Sequence, residues 1–193
     1  MLLENIKHKK IILASQSPRR KELIGGLGIP FETRLKDVPE IYSDTLHGEE
    51  IPMFLSQLKA NAFKDEMAEN EILITADTTV HLGDQVLGKP ADLEEAVNML
   101  RALSGKSHDV ITGVTICTGD QCSTFSDTTE VTFAQLNEIE INHYVQTFKP
   151  LDKAGGYAVQ ELIGYIGITG MVGSYYNVVG LPIQKVYAFL SKL

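Results

Sequence analysis

Short apolar runs alternate along this chain with helical stripes of period 3.6, and turn residues punctuate them. Residues 10–14 (KIILA) predict a short strand, followed by a helix from residue 18 to about 27 that ends at glycines. Residues 31–35 alternate as a second strand, and the polar, turn-rich stretch 36–50 predicts a loop. A second helix is expected from about 51 to 69, with Phe54, Leu58, Ala62 and Phe63 facing inward. Residues 72–76 (ILITA) predict a buried strand that ends at Asp77. Residues 79–82 and 85–87 bracket Gly83-Asp84, a hairpin signal.

Asp92 and Glu95 form a capping-box pattern ahead of the stripe Ala96, Met99, Leu100 and Leu103, and Gly105 stops that third helix. Two long strands, 109–117 and 122–133, are joined by a four-residue turn, and a fourth helix spans 138–148. Residues 165–168 predict one more strand, and 181–193 the final helix, with Val186, Phe189, Leu190 and Leu193 as its apolar pattern. No stretch reads as a linker or repeat. Helices alternating with strands, two connections being hairpins, predict a mixed α/β sheet with packed helices, not a purely parallel winding.

The chain is 193 residues long and 44% hydrophobic, which suits a single domain over residues 1–193 with a sizeable core. Seventeen Lys and Arg against 25 Asp and Glu give a net charge of −8. That balance argues against a surface that coats nucleic acid or an anionic membrane, so an anionic ligand needs a local basic pocket. No apolar run reaches the roughly 18 residues of a membrane span, and the opening MLLENIKHKKIILAS does not read as a secretory signal. Cys117 and Cys122 flank a turn and could face each other across two strands; they read as two reduced thiols of a cytosolic protein. The terminal Ser191-Lys192-Leu193 spells a peroxisomal address but closes an apolar helical pattern, and reads as coincidence.

Four segments could carry chemistry. In SQSPRRK (15–21), Ser17 suits an N-cap and Pro18 the first helical position. Arg19, Arg20 and Lys21 then fall in the first turn, where the helix dipole disfavours each cation by about 0.3–1 kcal/mol. Either these side chains point into water or the turn faces an anion such as phosphate, which the free N–H groups and guanidinium forks suit. Asp77, at the end of its strand, could hold a divalent cation, take a proton from water, or cap a turn. In Gly88-Lys89-Pro90 the proline stiffens the segment and holds Lys89 out as a point charge. Lys59 lies beside an apolar stripe, where most lysines merely snorkel. Gly105-Lys106-Ser107 is no P-loop: it follows a helix, and Leu100 stands where the motif needs glycine.

Taken together the chain resembles the Maf family of nucleotide pyrophosphatases. The resemblance rests on LASQSPRRKELI (13–24), LKANAF (58–63), ADTTV (76–80), LGKPADLEEAVNML (87–100) and LSGKSHDVITGV (103–114). PLDKAGGYAVQ (150–160) and GSYYNVVGLP (173–182) extend it over nearly the whole chain. It implies a cytoplasmic hydrolase that cuts a nucleoside triphosphate between its α and β phosphates with a divalent cation, Mg²⁺ or Mn²⁺. The implied fold is similar to the inosine-triphosphatase group, an elongated mixed sheet with flanking helices and a cleft between two lobes, often a homodimer. Asp77 matches the family's general base and a metal ligand, while Ser15, Arg20, Lys59 and Lys89 match residues around the triphosphate. Glu40 matches a glutamate near the metal, with Glu32 as its rival. Arg19, Thr78 and Gln160 match the branch that acts on dTTP and UTP, including modified uridine triphosphates. The alternatives are a pyrophosphatase for another nucleotide such as 7-methyl-GTP, and a nucleotide-binding regulator of cell division.

Overall fold

A computed structural model of the chain describes residues 3–119 and 121–193. Its backbone forms a seven-stranded mixed sheet in the order β2-β1-β3-β5-β6-β7, with β4 paired to β3 off that path. The strands are β1 (Lys10–Leu13), β2 (Phe31–Thr33), β3 (Glu71–Leu82), β4 (Gln85–Leu87), β5 (Ser107–Thr118), β6 (Gln121–Phe133) and β7 (Ile168–Val172). Strands β1, β2 and β3 are parallel, whereas β4 folds back on β3 and β7 runs against β6. The expected mixed α/β architecture is therefore the one present.

The chain divides into two compact units. The first comprises residues up to Asp77 together with 112–127 and 180–193. In it, β1 is apolar at successive positions because helices cover both of its faces. Ile11 and Leu13 pack with Ile24 of α1 (Pro18–Gly25) and with Val186 and Leu190 of α7 (Ile183–Leu190). Ile12 and Leu73 pack on the other face with Ala60 and Phe63, at and just beyond the end of α2 (Glu50–Asn61). Gly113 lets α2 lie close to the sheet, since a Cβ there would collide with the carbonyl of Pro52.

The second unit comprises 78–111 and 128–179. Its core joins α3 (Leu93–Leu103) and α4 (Glu138–Phe148) through Leu100, Leu103, Ile141 and Tyr144. Asp92 caps α3 by accepting from the Glu95 N–H, while Glu95 reaches back to the Ala91 N–H, one residue earlier than a regular capping box. Two short helices, α5 (Leu162–Gly167) and α6 (Tyr175–Val179), complete this unit.

Five expectations need correction. Asp77 does not end a strand: β3 runs on to Leu82, because the β-branched Thr78-Thr79-Val80 extends it to the turn at Gly83. Helix α2 stops at Asn61, not near residue 69, and its inner face carries Ile51, Leu55, Ser56 and Ala60 while Phe54 is exposed. A serine occupies the core side there, so apolar periodicity misplaces the face. Residues 162–167 are helical and the strand begins at Ile168; a Cβ at Gly164 would strike the Val159 carbonyl, so the glycine permits a tight helical turn. The final helix is shorter than 181–193, and Leu193 is exposed rather than part of its stripe. Lastly, Cys117 and Cys122 are joined in a disulfide rather than reduced; β5 and β6, consecutive in the chain and adjacent in the sheet, set their Cα atoms 4.1 Å apart.

His108 is sealed in the second unit's core, edge-on to Phe133 and Tyr157, with its Nε2 2.7 Å from the Tyr157 hydroxyl. Burial lowers its pKa from 6.5 to about 4. The unfolded chain therefore binds a proton that the folded state refuses between those values, and stability falls as pH drops through that window. The loss attributable to His108 is expected to reach roughly 2–3 kcal/mol by pH 4.5. Urea unfolding of wild type and His108→Gln at pH 7.5 and 4.5 checks this; equal pH sensitivity in both would contradict it.

Candidate active site

The loop after β1 and the middle of β3 build a cluster of charge in the first unit. Parallel pairing of β1 with β3 ends at Leu13 and Ile74, and the Ala14 N–H still donates to the Ile74 carbonyl. Ser15, buried, and Asp77, also buried, lie just beyond that last pair. The absence of β1 from this stretch gives Asp77 the position that a strand end would have provided. The Ser15 hydroxyl accepts from the Ser17 N–H at 3.2 Å, and Ser17 caps α1 by accepting from the Arg20 N–H at 3.4 Å.

Arg20 turns inward from that first helical turn. Its Nε donates to the Gly180 carbonyl at 2.7 Å and its Nη1 to the Ala76 carbonyl at 2.9 Å. Two donors of the guanidinium fork are thus used to fix its plane. Burial pulls its pKa below the usual arginine value, the charge of Asp77 opposes that, Arg19 reinforces it and Glu40 opposes it. The cation in the first turn is thereby compensated in part by the protein's own carboxylates. Arg19, one position earlier, is half-buried.

Lys59 projects from the last turn of α2 and meets both carboxylates. Its Nζ lies 2.5 Å from Asp77 Oδ1 and 2.7 Å from Glu40 Oε1. A buried seam of hydroxyls sets the helix that carries it. Thr75 donates to the Ser56 carbonyl at 2.7 Å, the Ser56 and Thr115 hydroxyls are 2.9 Å apart, and Thr115 lies 2.9 Å from the Thr124 hydroxyl. With Ser56 held this way, Lys59 emerges three residues on, beside the face of β3 that bears Thr75 and Asp77. Glu32, the rival to Glu40, instead pairs with Lys10 on β2's exposed side at 2.8 Å.

The first unit therefore gathers Arg20, Lys59, Glu40 and Asp77, with Ser15 next to them. Thr78, Lys89 and Gln160 belong to the second unit. Lys89 is exposed and lines a hollow of about 460 Å³ with Gln85, Asn98 and Met99. The Gly88 carbonyl accepts from the Gly155 N–H at 3.0 Å, so this segment is tied to the 150–161 loop that carries Gln160. Gln160 is half-buried, and its Oε1 is fully enclosed with no hydrogen-bond partner among the described residues. What the sequence did not disclose are the carbonyls of Ala76 and Gly180 that orient Arg20, since backbone acceptors leave no residue signature.

Among the described residues no group of three or more His, Cys, Asp or Glu gathers as a metal cage. Two carboxylates converging on one ammonium nevertheless form a hard-oxygen donor pair. Mg²⁺ is commonly held by one or two carboxylates plus phosphate oxygens and water, and Glu40 with Asp77 fits that habit.

Residues 10–193 match the family described as Maf-like protein. A dTTP/UTP pyrophosphatase of Phocaeicola vulgatus is 52% identical over 193 residues, covering 100% of both chains. The dTTP/UTP pyrophosphatase of Parabacteroides distasonis is 54% identical over 187 residues, 96% of this chain and 97% of that one. In fold, the chain is similar to a HAM1 protein from Coxiella burnetii, with TM-score 0.50 and 14% identity over 96% of this chain and 100% of that one. A family match over all but the first nine residues, with relatives at half identity along their full length, places this chain in the Maf family.

Proposed function

We propose that this protein hydrolyses dTTP and UTP, modified uridine triphosphates included, to the nucleoside monophosphate and pyrophosphate. Its relatives named dTTP/UTP pyrophosphatase support the reaction class, and the Lys59–Asp77–Glu40 cluster supports where it happens. That cluster is the observation that carries the reading. A water molecule attacks the α-phosphorus, pyrophosphate leaves, and the water oxygen stays in the monophosphate.

Asp77 acts as general base, orienting the water and accepting its proton. Its burial beside Lys59 and near Arg20 keeps it fixed and oriented for that work. Ser15, Arg20, Lys59 and Lys89 bind the triphosphate, whose nearly four negative charges make catalysis largely a matter of positioning and charge neutralisation. A divalent cation, Mg²⁺ or Mn²⁺, held by Glu40 and Asp77 would supply further neutralisation of the phosphate oxygens. A chain of net charge −8 repels a free nucleotide, so these cations must act locally.

Arg19, Thr78 and Gln160 select the base. Uracil and thymine present an N3–H donor between two carbonyls, whereas cytosine presents a bare N3 acceptor and an amino group. The Gln160 amide carries both a donor and an acceptor, a pair that the imide N3–H and a flanking carbonyl complete. A site built around such a pair rejects the analogue that cannot complete it. The chain works as one domain, a copy pairing with a second in a homodimer, in the cytoplasm, with neither nucleic acid nor membrane as partner. No described helix is long and apolar enough to cross a membrane.

A nucleotide panel with pyrophosphate detection, with and without Mg²⁺, tests the proposal. The kcat/KM for dTTP and UTP should exceed that for CTP and 7-methyl-GTP by tenfold or more, and Gln160→Ala should erase most of the preference over CTP. Faster turnover of 7-methyl-GTP than of dTTP would overturn the pyrimidine assignment.

A further inference from the structure

Gln160 follows the buried Tyr157, Ala158 and Val159, but apolar packing alone does not hold an amide to a fixed angle. The neighbouring hydrogen bonds do. Tyr144, on α4, is fully buried, and its hydroxyl is engaged on both sides of Gln160. It accepts from the Ala158 N–H at 3.1 Å and donates to Glu161 Oε2 at 2.6 Å. Ala158 precedes Gln160 by two residues and Glu161 follows it directly, so one hydroxyl brackets the glutamine. Lys153, also buried, backs the carboxylate: its Nζ is 3.4 Å from Glu161 Oε1 and 2.7 Å from Asp152 Oδ1. At the far side of the loop, the Gly155 N–H on the Gly88 carbonyl fixes the start of the segment.

Burial and the Glu161 carboxylate both raise the Tyr144 pKa, so the phenol stays protonated and remains a donor. An unmade bond here would leave a half-buried carboxylate and the buried Ala158 N–H without their partner, which favours a single loop conformation.

We propose that Tyr144 is a positioning residue for base selection, its hydroxyl holding Gln160 by binding the chain on both sides of it, with Lys153 and Glu161 completing the clamp. This rests on the reading of Gln160 as the group that meets the pyrimidine N3–H. Tyr144 touches no substrate in this account, so its removal should alter discrimination between bases more than the chemical step.

The test is a double-mutant cycle on the ratio of kcat/KM for UTP to that for CTP, using full-length protein checked for folding by circular dichroism. Tyr144→Phe, which deletes only the hydroxyl, should lower the ratio by roughly tenfold, chiefly through a higher KM for UTP, with kcat changing less than about threefold. In a Gln160→Ala background the same substitution should produce no further change in the ratio. Glu161→Gln, which still accepts from the phenol, should keep the ratio within about threefold of wild type, whereas Glu161→Ala should reproduce the loss. Glu161→Ala also decides the matter if Tyr144→Phe does not fold. If Gln160→Ala lowers the ratio but the Tyr144 and Glu161 variants leave it unchanged, or their effects simply add to it, the clamp is overturned and base reading by Gln160 stands. If Gln160→Ala itself leaves the ratio unchanged, base reading by Gln160 falls and the clamp with it.

Discussion

Asp77→Asn should lower turnover of UTP by roughly a thousandfold, within the range that loss of a general base produces, while nucleotide affinity changes by no more than about threefold. The substitution is nearly isosteric and keeps an oxygen that can accept from Lys59 at the position now 2.5 Å from its ammonium. Packing around the buried side chain is therefore preserved, and what disappears is a basic, charged oxygen pointed at the attacking water. Initial rates by pyrophosphate release, paired with equilibrium binding of UTP to the same preparation, separate the two effects. A variant that retains more than a tenth of wild-type kcat would remove Asp77 from the role of base. The variant also separates the enzyme from the regulator: a cell-division phenotype that survives it would belong to nucleotide binding rather than turnover.

The second large effect is expected from Lys59→Met. Methionine keeps the aliphatic stem that lies along the end of α2 and deletes the ammonium that Asp77 and Glu40 share. Removing it leaves two carboxylates facing the same point, one of them buried, with a third anionic group about to arrive as substrate. Breaking one side of such a buried pair typically costs about 3–5 kcal/mol of stability, and the more exposed Glu40 places this case toward the lower end. The kcat/KM for UTP should fall by roughly a hundredfold, with KM rising, because the lost charge acts on bound triphosphate as well as on Asp77. Steady-state kinetics below the variant's melting temperature check this. A kcat/KM within threefold of wild type would show that Lys59 is only a structural partner of the two acids.

Much of this arrangement is written in short-range patterns. The Gly83-Asp84 hairpin, the Asp92 cap and the limits of α4 are each decided by residues within about five positions, and they stand where local reading puts them. The misread elements depend on distant partners. Helix α2 presents Ser56 inward because Thr75 and Thr115 satisfy it, and those residues lie 19 and 59 positions away. Beyond Asn61 the chain is held by distant partners instead of a longer helix: Glu71 accepts from the Ala68 N–H and pairs with Arg34, a residue on the far side of α2 in sequence. Nothing near Asp77 reveals that its neighbour β1 stops at Leu13 while β3 continues.

The site shows the same division. Arg20 was legible because a cation in a helix's first turn runs against local preference, whereas Asp77, closing an apolar run, read equally as a turn cap until the family resemblance singled it out. Lys59 was legible only through the family resemblance, since a lysine beside an apolar stripe is ordinary. Glu40 could not be separated from Glu32 by its flanking residues, and it is the ion pair with Lys59 that sets it apart. Tyr144 carried no signal at all: an apolar-looking position in a regular helix does not announce a hydroxyl that reaches across 14 and 17 residues to Ala158 and Glu161.

The position of water attack defines the reaction. Hydrolysis of UTP in heavy-oxygen water, followed by mass spectrometry of both products, reads that directly. Attack at the α-phosphorus places the heavy oxygen in UMP and none in pyrophosphate, which is the predicted result. Label in the pyrophosphate, or release of orthophosphate with UDP, would contradict it.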